Sequence, residues 1–178
     1  TDDTPQVIER FLNREVPLKV ARNSEVLPQT ANWNAAMRLV SAEAKYVMLL
    51  CSDDLIRADA IEKLVARAEE DDEIVLVTAP DVVLDRVRAP LPPESKSIVD
   101  GRDFIRAFLN NTYNHYAWQL FFARWQPEQA NEDFFSYTVA TFDTEKLLRL
   151  MTSGKVGFVM EPLFYTRHHA ANMSAQFT

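Results

Sequence analysis

Glycine and cysteine are both scarce in this chain of 178 residues. The three glycines all lie at or beyond Gly101, so no G-x-G-x-x-G or P-loop pattern can be written, and a glycine-rich phosphate loop is excluded. The single cysteine, Cys51, excludes an internal disulfide and a metal cluster built on cysteines, and it fits a reducing compartment. A phosphorylated ligand would have to be bound by other groups.

The sequence also lacks a long apolar run. No stretch approaches the roughly 18 residues that a membrane-spanning helix needs. No basic segment followed by an apolar one opens the chain in the manner of a secretion signal. We therefore expect a cytoplasmic protein.

Positive charge is in short supply as well, with 19 Lys and Arg residues against 26 Asp and Glu residues and a net charge of −7. Nucleic acids and anionic membranes favour a basic face, so we expect neither as a primary partner. An anionic ligand such as a diphosphate would need a cation or helix N-termini to offset its charge.

The residues that are present have the composition of an ordinary folded domain, 47% hydrophobic and 25% charged. Apolar residues recur at helical spacing in five segments, and short strand-like runs lie between them. The predicted helices cover residues 4–12, 30–40, 61–68, 100–110 and 144–151. The predicted strands cover residues 16–21, 46–51, 74–78, 117–125 and 156–165, with an irregular strand and an exposed loop over 81–93.

Strands that alternate with helices predict an α/β fold with a mixed, mainly parallel sheet flanked by helices. We expect a single domain over residues 1–178. A charged, proline-rich loop at 87–97 divides it into two halves, residues 1–86 and 98–178.

Two adjacent carboxylates, Asp53 and Asp54, follow the apolar run 46–51. A buried strand that ends in charge places it at the carboxyl edge of the sheet, where open α/β folds bind ligands. Adjacent carboxylates repel each other, and a hard cation between them and an anionic substrate relieves that repulsion. A solvated acidic loop that helps to cap the next helix explains the same residues without a ligand. From these residues by themselves, both interpretations stay open.

Several short segments, in order along the chain, resemble motifs of the family 2 glycosyltransferases of the GT-A fold. Leu-Cys-Ser-Asp-Asp at 50–54 resembles the family's metal motif L-D-S-D-D, and Asp-Thr-Glu-Lys-Leu-Leu-Arg-Leu at 143–150 resembles its D-W-E-L-x-L-R-L helix. The other segments resemble the tail of the first turn, the asparagine helix, the helix after the metal motif, the E-P-L strand and the Y-R-x-H…N-x-S ending: residues 1–4, 32–37, 59–64, 156–163 and 165–174.

The resemblance implies a GT-A-like, Rossmann-like fold and the transfer of a sugar, with inversion, from a nucleotide-diphosphate sugar to an acceptor hydroxyl. It implies Mg²⁺ or Mn²⁺ as cofactor, bound by Asp53 with His169 near it. Residues 1–86 would form the donor and metal half, and residues 98–178 the acceptor half. The acceptor would be a saccharide or a lipid-linked glycan in polysaccharide or cell-surface glycan synthesis. Such an acceptor fits a location at the inner face of the membrane, with peripheral association.

The same resemblance implies roles for further residues. Asp143 stands where the family has its general base, although an aspartate there also fits the N-cap of the following helix. Asp54 would support the metal and the donor, Arg167 would close over the donor phosphates, and Asn34 would lie near the base or ribose. Asn34 can also be explained without a ligand, because asparagine is favoured at helix starts. Paired histidines near a chain end, such as His169 and its neighbour, are often exposed to solvent without a functional role.

Three departures from the family pattern favour an alternative, a non-catalytic GT-A-like binding module. Cys51 replaces the first aspartate of the metal motif, and a neutral thiol is a poor ligand for a hard cation. Phe142 stands where the family often has a second acidic residue. The family's first strand would precede Thr1, so we expect the chain to be N-terminally truncated.

Overall fold

The computed structural model describes residues 3–12, 14–83, 86–88, 96–110, 122–126 and 132–167. The helices in these ranges are α1 (Thr4–Glu9), α2 (Gln29–Met37), α3 (Ala60–Ala68), α4 (Gly101–Leu109) and α5 (Phe142–Met151). The strands are β1 (Tyr46–Met48), β2 (Leu55–Ile56), β3 (Ile74–Thr78), β4 (Asp81–Val83), β5 (Arg86–Arg88), β6 (Ile98–Asp100), β7 (Phe122–Arg124), β8 (Lys155–Phe158) and β9 (Phe164–Thr166).

Helix α4 illustrates how the local sequence starts a helix. Asp100 accepts hydrogen bonds from the backbone N–H groups of Arg102, at 2.9 Å, and Asp103, at 3.2 Å. These bonds satisfy two of the N–H groups that every helix leaves unpaired at its start. The apolar face of α4 then buries Phe104, whose ring centroid lies 5.6 Å from that of Phe158 in β8.

The larger sheet has the strand order β1-β7-β3-β8-β6. Strands β1, β3 and β8 run in one direction, whereas β7 and β6 run in the opposite one. The predicted mixed sheet flanked by helices is therefore confirmed, but its mainly parallel character is not, since only β3 and β8 form a parallel pair in this sheet. The reason is that β7, which comes late in the chain, inserts antiparallel between β1 and β3.

A smaller sheet has the order β2-β9-β4-β5. Strand β9 lies in it between β2, which is antiparallel to it, and β4, which is parallel. The start of β2 is therefore next to the end of β9, and Asp81 at the start of β4 pairs with Phe164 of β9. This arrangement brings three distant parts of the chain together beside the residues that precede β2.

Apolar side chains fill both sides of the larger sheet. One cluster contains residues of α2, α4 and α5, such as Trp33, Phe104 and Leu147, packed with β3 and β8. The other contains residues of α3, such as Leu64, packed with β3 and with Phe164 of β9. Helices thus cover both faces, as expected for an α/β fold.

Three strand predictions differ from the structure. The predicted strand at 46–51 is shortened to β1 (Tyr46–Met48), which lies at one end of the strand order in the described part of the larger sheet, and Leu50 is exposed. The predicted strand at 16–21 is wrong: these residues pair with no described strand, and Val16 and Val20 are exposed. An apolar alternation alone does not supply a partner strand, without which the pattern has no ladder to join. The predicted last strand at 156–165 is divided into β8 and β9, with Pro162 between them, because proline lacks the N–H that a continuous ladder needs.

Across the ranges that the structure describes, no helix combines the length and the apolar character needed to cross a membrane.

Candidate functional site

Residues 51–54, the acidic turn, connect the end of the 46–51 run to β2. The N–H of Asp54 donates to the carbonyl oxygen of Cys51 at 3.1 Å, which closes the turn. The ligand atoms of Cys51, Asp53 and Asp54 all lie within 4.8 Å of one another. The structure therefore brings the two predicted carboxylates together with the thiol in one cluster.

Arg167, which directly follows β9, bonds to the acidic turn through three groups. Its backbone N–H donates to Oδ1 of Asp54 at 3.2 Å. Its Nε donates to the carbonyl oxygen of Asp53, and its Nη2 donates to that of Ser52 at 3.4 Å. Arg167 therefore bonds to the acidic turn, a contact that the sequence did not predict, and its predicted contact with donor phosphates stays a prediction.

Burial distinguishes the two carboxylates of the turn. Asp54 is only 6% exposed, whereas Asp53 is half-buried. Burial raises the pKa of the Asp54 carboxyl, the charges of Asp53 and Asp81 raise it further, and the N–H of Arg167 acts in the opposite direction. A cation next to Asp54 would offset both the burial and the repulsion.

The thiol of Cys51 stays protonated near neutral pH. Burial, followed by the charges of Asp54, Asp53 and Asp143, raises its pKa to about 11. Two carboxylates and a neutral thiol suit a hard cation such as Mg²⁺ or Mn²⁺ through the carboxylates, while the thiol contributes little. The donor set therefore fits a divalent cation at Asp53 and Asp54, and it does not identify which one.

Asp143 lies near this cluster, since its charge acts on the thiol of Cys51. It is the second residue of α5, and its Oδ1 accepts a hydrogen bond from the N–H of Thr144 at 2.7 Å. The N-cap interpretation is wrong, because Thr141 occupies that position. A carboxylate in the first turn still gains from the helix dipole. Asp143 is thus within electrostatic range of Cys51, and its role as the base stays a prediction.

Asn34 is buried in α2 and bonds to the backbone of Phe135 in both directions. Its Nδ2 donates to the carbonyl oxygen of Phe135 at 2.9 Å, and its Oδ1 accepts from the N–H of Phe135 at 2.8 Å. The side chain amide of Asn34 therefore ties α2 to the segment that leads into α5. Its contact with a nucleotide base or ribose stays a prediction.

Sequence reasoning missed Asp81, at the start of β4. This carboxylate is fully buried, accepts a hydrogen bond from Oγ1 of Thr166 at 3.0 Å, and acts electrostatically on Asp54. The apolar stretch around it was the available signal, since a lone aspartate beside a buried strand needs a partner. That partner, Thr166, is distant in sequence.

The histidines near the end of the chain and Phe142 are the remaining residues for which the sequence analysis made predictions. His169 lies outside the described residues, as do His168, Asn172 and Ser174. Phe142 is buried in the core, with ring centroids 5.3 Å from Trp33 and 5.7 Å from Phe135. At the position where the family often has an acidic residue, this chain therefore has a core aromatic.

Comparison with protein-family models gives a match. The family model described as glycosyl transferase family 2 matches residues 1–150, which include the acidic turn and Asp143. A search of curated proteins finds no match.

Proposed function

Because the chain belongs to glycosyl transferase family 2, we propose that it moves a sugar from a nucleotide-diphosphate sugar to an acceptor hydroxyl, with inversion at the anomeric carbon. Membership of the family supports glycosyltransferase activity in general. The single observation that supports the finer proposal is the electrostatic proximity of Asp143 to the acidic turn. A base and a diphosphate-binding site must be close together if one sugar is to reach both.

In the proposed step, the acceptor oxygen forms a bond to the anomeric carbon of the sugar from the face opposite the diphosphate. The bond between that carbon and the diphosphate oxygen breaks, and its electron pair leaves with the nucleoside diphosphate. The carboxylate of Asp143 takes the proton of the acceptor hydroxyl, and such a base contributes roughly 10²- to 10⁴-fold in rate.

Asp53 and Asp54 would hold a divalent cation, Mg²⁺ or Mn²⁺, against the donor diphosphate. The cation supplies positive charge that stabilises the leaving group, in a chain whose own net charge is −7. Arg167 keeps the turn closed through its bonds to the carbonyl oxygens of Ser52 and Asp53. His169, which lies outside the described residues, would be a further ligand of the cation.

The proposal extends to the partners of the reaction. The acceptor is a saccharide or a lipid-linked glycan, and the process is the synthesis of a polysaccharide or a cell-surface glycan. The protein would act in the cytoplasm, at the inner face of the membrane where the acceptor is lipid-linked, with peripheral association. These assignments rest on the family alone.

Two observations favour the alternative, a non-catalytic module that binds a sugar nucleotide without transfer. The thiol of Cys51 is neutral near pH 7 and is a poor ligand for a hard cation. Phe142 is a core residue and supplies no second acid beside Asp143.

Calorimetric titration with a panel of nucleoside diphosphates and their sugars, with and without Mn²⁺, tests the proposal. We expect Mn²⁺-dependent binding of at least one nucleotide, and no binding under either condition would refute both functions.

Donor turnover in Asp143→Asn then separates transfer from mere binding. We expect turnover to fall by roughly 10²- to 10⁴-fold, with nucleotide affinity unchanged. The matched control is Glu145→Gln, which removes the same charge from the same helix at a residue bonded to Arg149. Nucleotide binding with no turnover in the parent protein would favour the binding module.

A further inference from the structure

The smaller sheet carries a buried carboxylate that the proposed reaction does not use. Asp81 at the start of β4 has no exposed surface, although a charged group is costly to bury unless it is hydrogen-bonded or otherwise compensated. Its Oδ2 accepts a hydrogen bond from Oγ1 of Thr166 at 3.0 Å. If this position had only to begin a strand, an apolar side chain could be buried there at a lower cost in free energy.

Thr166 links this carboxylate to the acidic turn. It is the last residue of β9, and the next backbone N–H, that of Arg167, donates to Oδ1 of Asp54 at 3.2 Å. The contacts therefore run from Asp81 through the hydroxyl of Thr166 and the backbone of β9 to one oxygen of Asp54. With Oδ1 bonded to this N–H, the orientation of the Asp54 carboxylate is fixed.

The arrangement of the smaller sheet makes this route short. β9 pairs with β4 on one side and with β2, which directly follows the acidic turn, on the other. A shift of Thr166 relative to β4 would move both the N–H that holds Asp54 and the strand that begins next to it. The acidic turn thus takes its position from β9, and β9 is held at its end by Asp81.

We propose that Asp81 is a positioning residue: through the hydroxyl of Thr166 it holds β9 where the N–H of Arg167 orients Asp54 for a divalent cation. This inference rests on the proposed function in so far as the cation is concerned. Groups that orient metal ligands without touching the metal typically change metal affinity or activity by roughly 10- to 100-fold when they are removed.

The test compares five proteins in which the chain is otherwise intact. Asp81→Asn removes the charge and keeps a carbonyl oxygen, Thr166→Val removes the hydroxyl at similar volume, and Thr166→Ser restores it. Asp71→Asn is the matched charge control. Asp71 lies just before the start of β3, away from the acidic turn, and its carboxylate accepts a hydrogen bond from Lys155 at the start of β8. The parent protein is the fifth, and thermal unfolding of each protein establishes that it is folded.

Two readouts are used for each folded protein. The first is the dissociation constant for Mn²⁺ alone, measured by calorimetry. We expect it to rise roughly 10- to 100-fold in Asp81→Asn and Thr166→Val, and to stay at the parent value in Thr166→Ser and Asp71→Asn. The second is the rate at which iodoacetamide alkylates Cys51 at pH 8 without metal, which we expect to rise several-fold in the same two variants, because a loosened turn exposes the half-buried thiol.

The outcomes separate the two ideas. Parent-like Mn²⁺ affinity and alkylation in both Asp81→Asn and Thr166→Val would overturn the positioning role. An effect of Asp81→Asn without one of Thr166→Val would also overturn it, since the charge would then act without the hydroxyl. If Asp81→Asn does not fold, Thr166→Val and Thr166→Ser decide the question. If the parent protein binds no Mn²⁺, the proposed metal site fails, and the alkylation rates still decide whether Asp81 holds the turn.

Discussion

Asp54 is a carboxylate whose environment opposes its charge. It is nearly fully buried, and both its burial and the neighbouring carboxylates raise its pKa. The ionised form of this side chain therefore reduces the stability of the folded protein, as is common at binding sites. The backbone N–H and the charge of Arg167 compensate in part.

We predict that Asp54→Asn stabilises the protein and weakens Mn²⁺ binding. The amide keeps an Oδ1 for the N–H of Arg167 and removes the unfavourable charge, so we expect a gain on the order of 1 kcal/mol, or ~2–4 °C in Tm. Because the folded-state pKa is raised, stability falls as pH rises from the unfolded to the folded pKa. The difference in free energy of unfolding between the variant and the parent should reach its maximum above the folded-state pKa of Asp54 and vanish below the pKa of the unfolded state.

Thermal unfolding from pH 3 to pH 8 measures this difference. Asp59→Asn is the matched control of opposite sign, because hydrogen bonds from Arg57 hold the pKa of Asp59 below its usual value. That variant should lose stability at neutral pH. A lower Tm for Asp54→Asn at pH 7 would mean that the Asp54 charge is already compensated in the protein.

At the scale of elements, helix α5 carries Asp143 and is tied to α2 through the segment that precedes it. The amide of Asn34 in α2 bonds to both backbone groups of Phe135. The ring of Phe135 then contacts that of Phe142, the first residue of α5. The start of α5, and hence the proposed base, takes its place from these contacts.

We predict that Asn34→Ala destabilises the protein by about 2–4 kcal/mol, because it leaves a buried N–H and a buried carbonyl unpaired and each costs ~1–3 kcal/mol. Urea unfolding measures the loss. Asn32→Ala is the control on the same helix, because the Asn32 side chain is exposed and accepts a hydrogen bond from the exposed Asn23. A surface change is usually within about 0.5 kcal/mol. Equal effects of the two substitutions would contradict the proposed tie.

Sequence patterns correctly predicted the helices that depend on residues close to one another in the chain. The apolar residues at helical spacing that predict helices at 61–68 and 100–110 correspond to α3 and α4 in the structure. The predicted strand at 16–21 was wrong and Asp81 was missed for the same reason. A strand needs a partner strand and a buried carboxylate needs a hydrogen-bond donor, and the local sequence shows neither of them. The grouping of Cys51 with Asp143 came from the family resemblance, since their proximity follows from tertiary packing.

On the scale of the whole molecule, the two predicted halves are interleaved within one sheet. In the order β1-β7-β3-β8-β6, strands β1 and β3 come from residues 1–86, and the other three come from residues 98–178. β7 of the second half separates the two strands of the first. In the described parts of the chain, residues 1–86 supply no two neighbouring strands of this sheet, and residues 98–178 supply the neighbouring pair β8 and β6 but hold β7 apart from it.

We predict that residues 1–86 and 98–178, produced separately, do not fold, and that the intact chain unfolds in one transition. Each fragment would expose strand edges and apolar faces that the other covers, and isolated short strands are marginal in water. Circular dichroism and amide NMR spectra of the fragments, alone and mixed, provide the measurement. A cooperative thermal transition in either fragment alone would show that the halves are independent units.

The route by which Arg167 reaches Asp54 has a kinetic consequence. The two residues are separated by 113 positions, and contacts of such long range form slowly because a large loop must close before they contribute any free energy. During synthesis, β1 and the acidic turn leave the ribosome long before β7 and β9 exist to hold them. Competence to bind a cation should therefore arise at the end of folding, and the appearance of Mn²⁺ affinity during refolding would report completion of the native state.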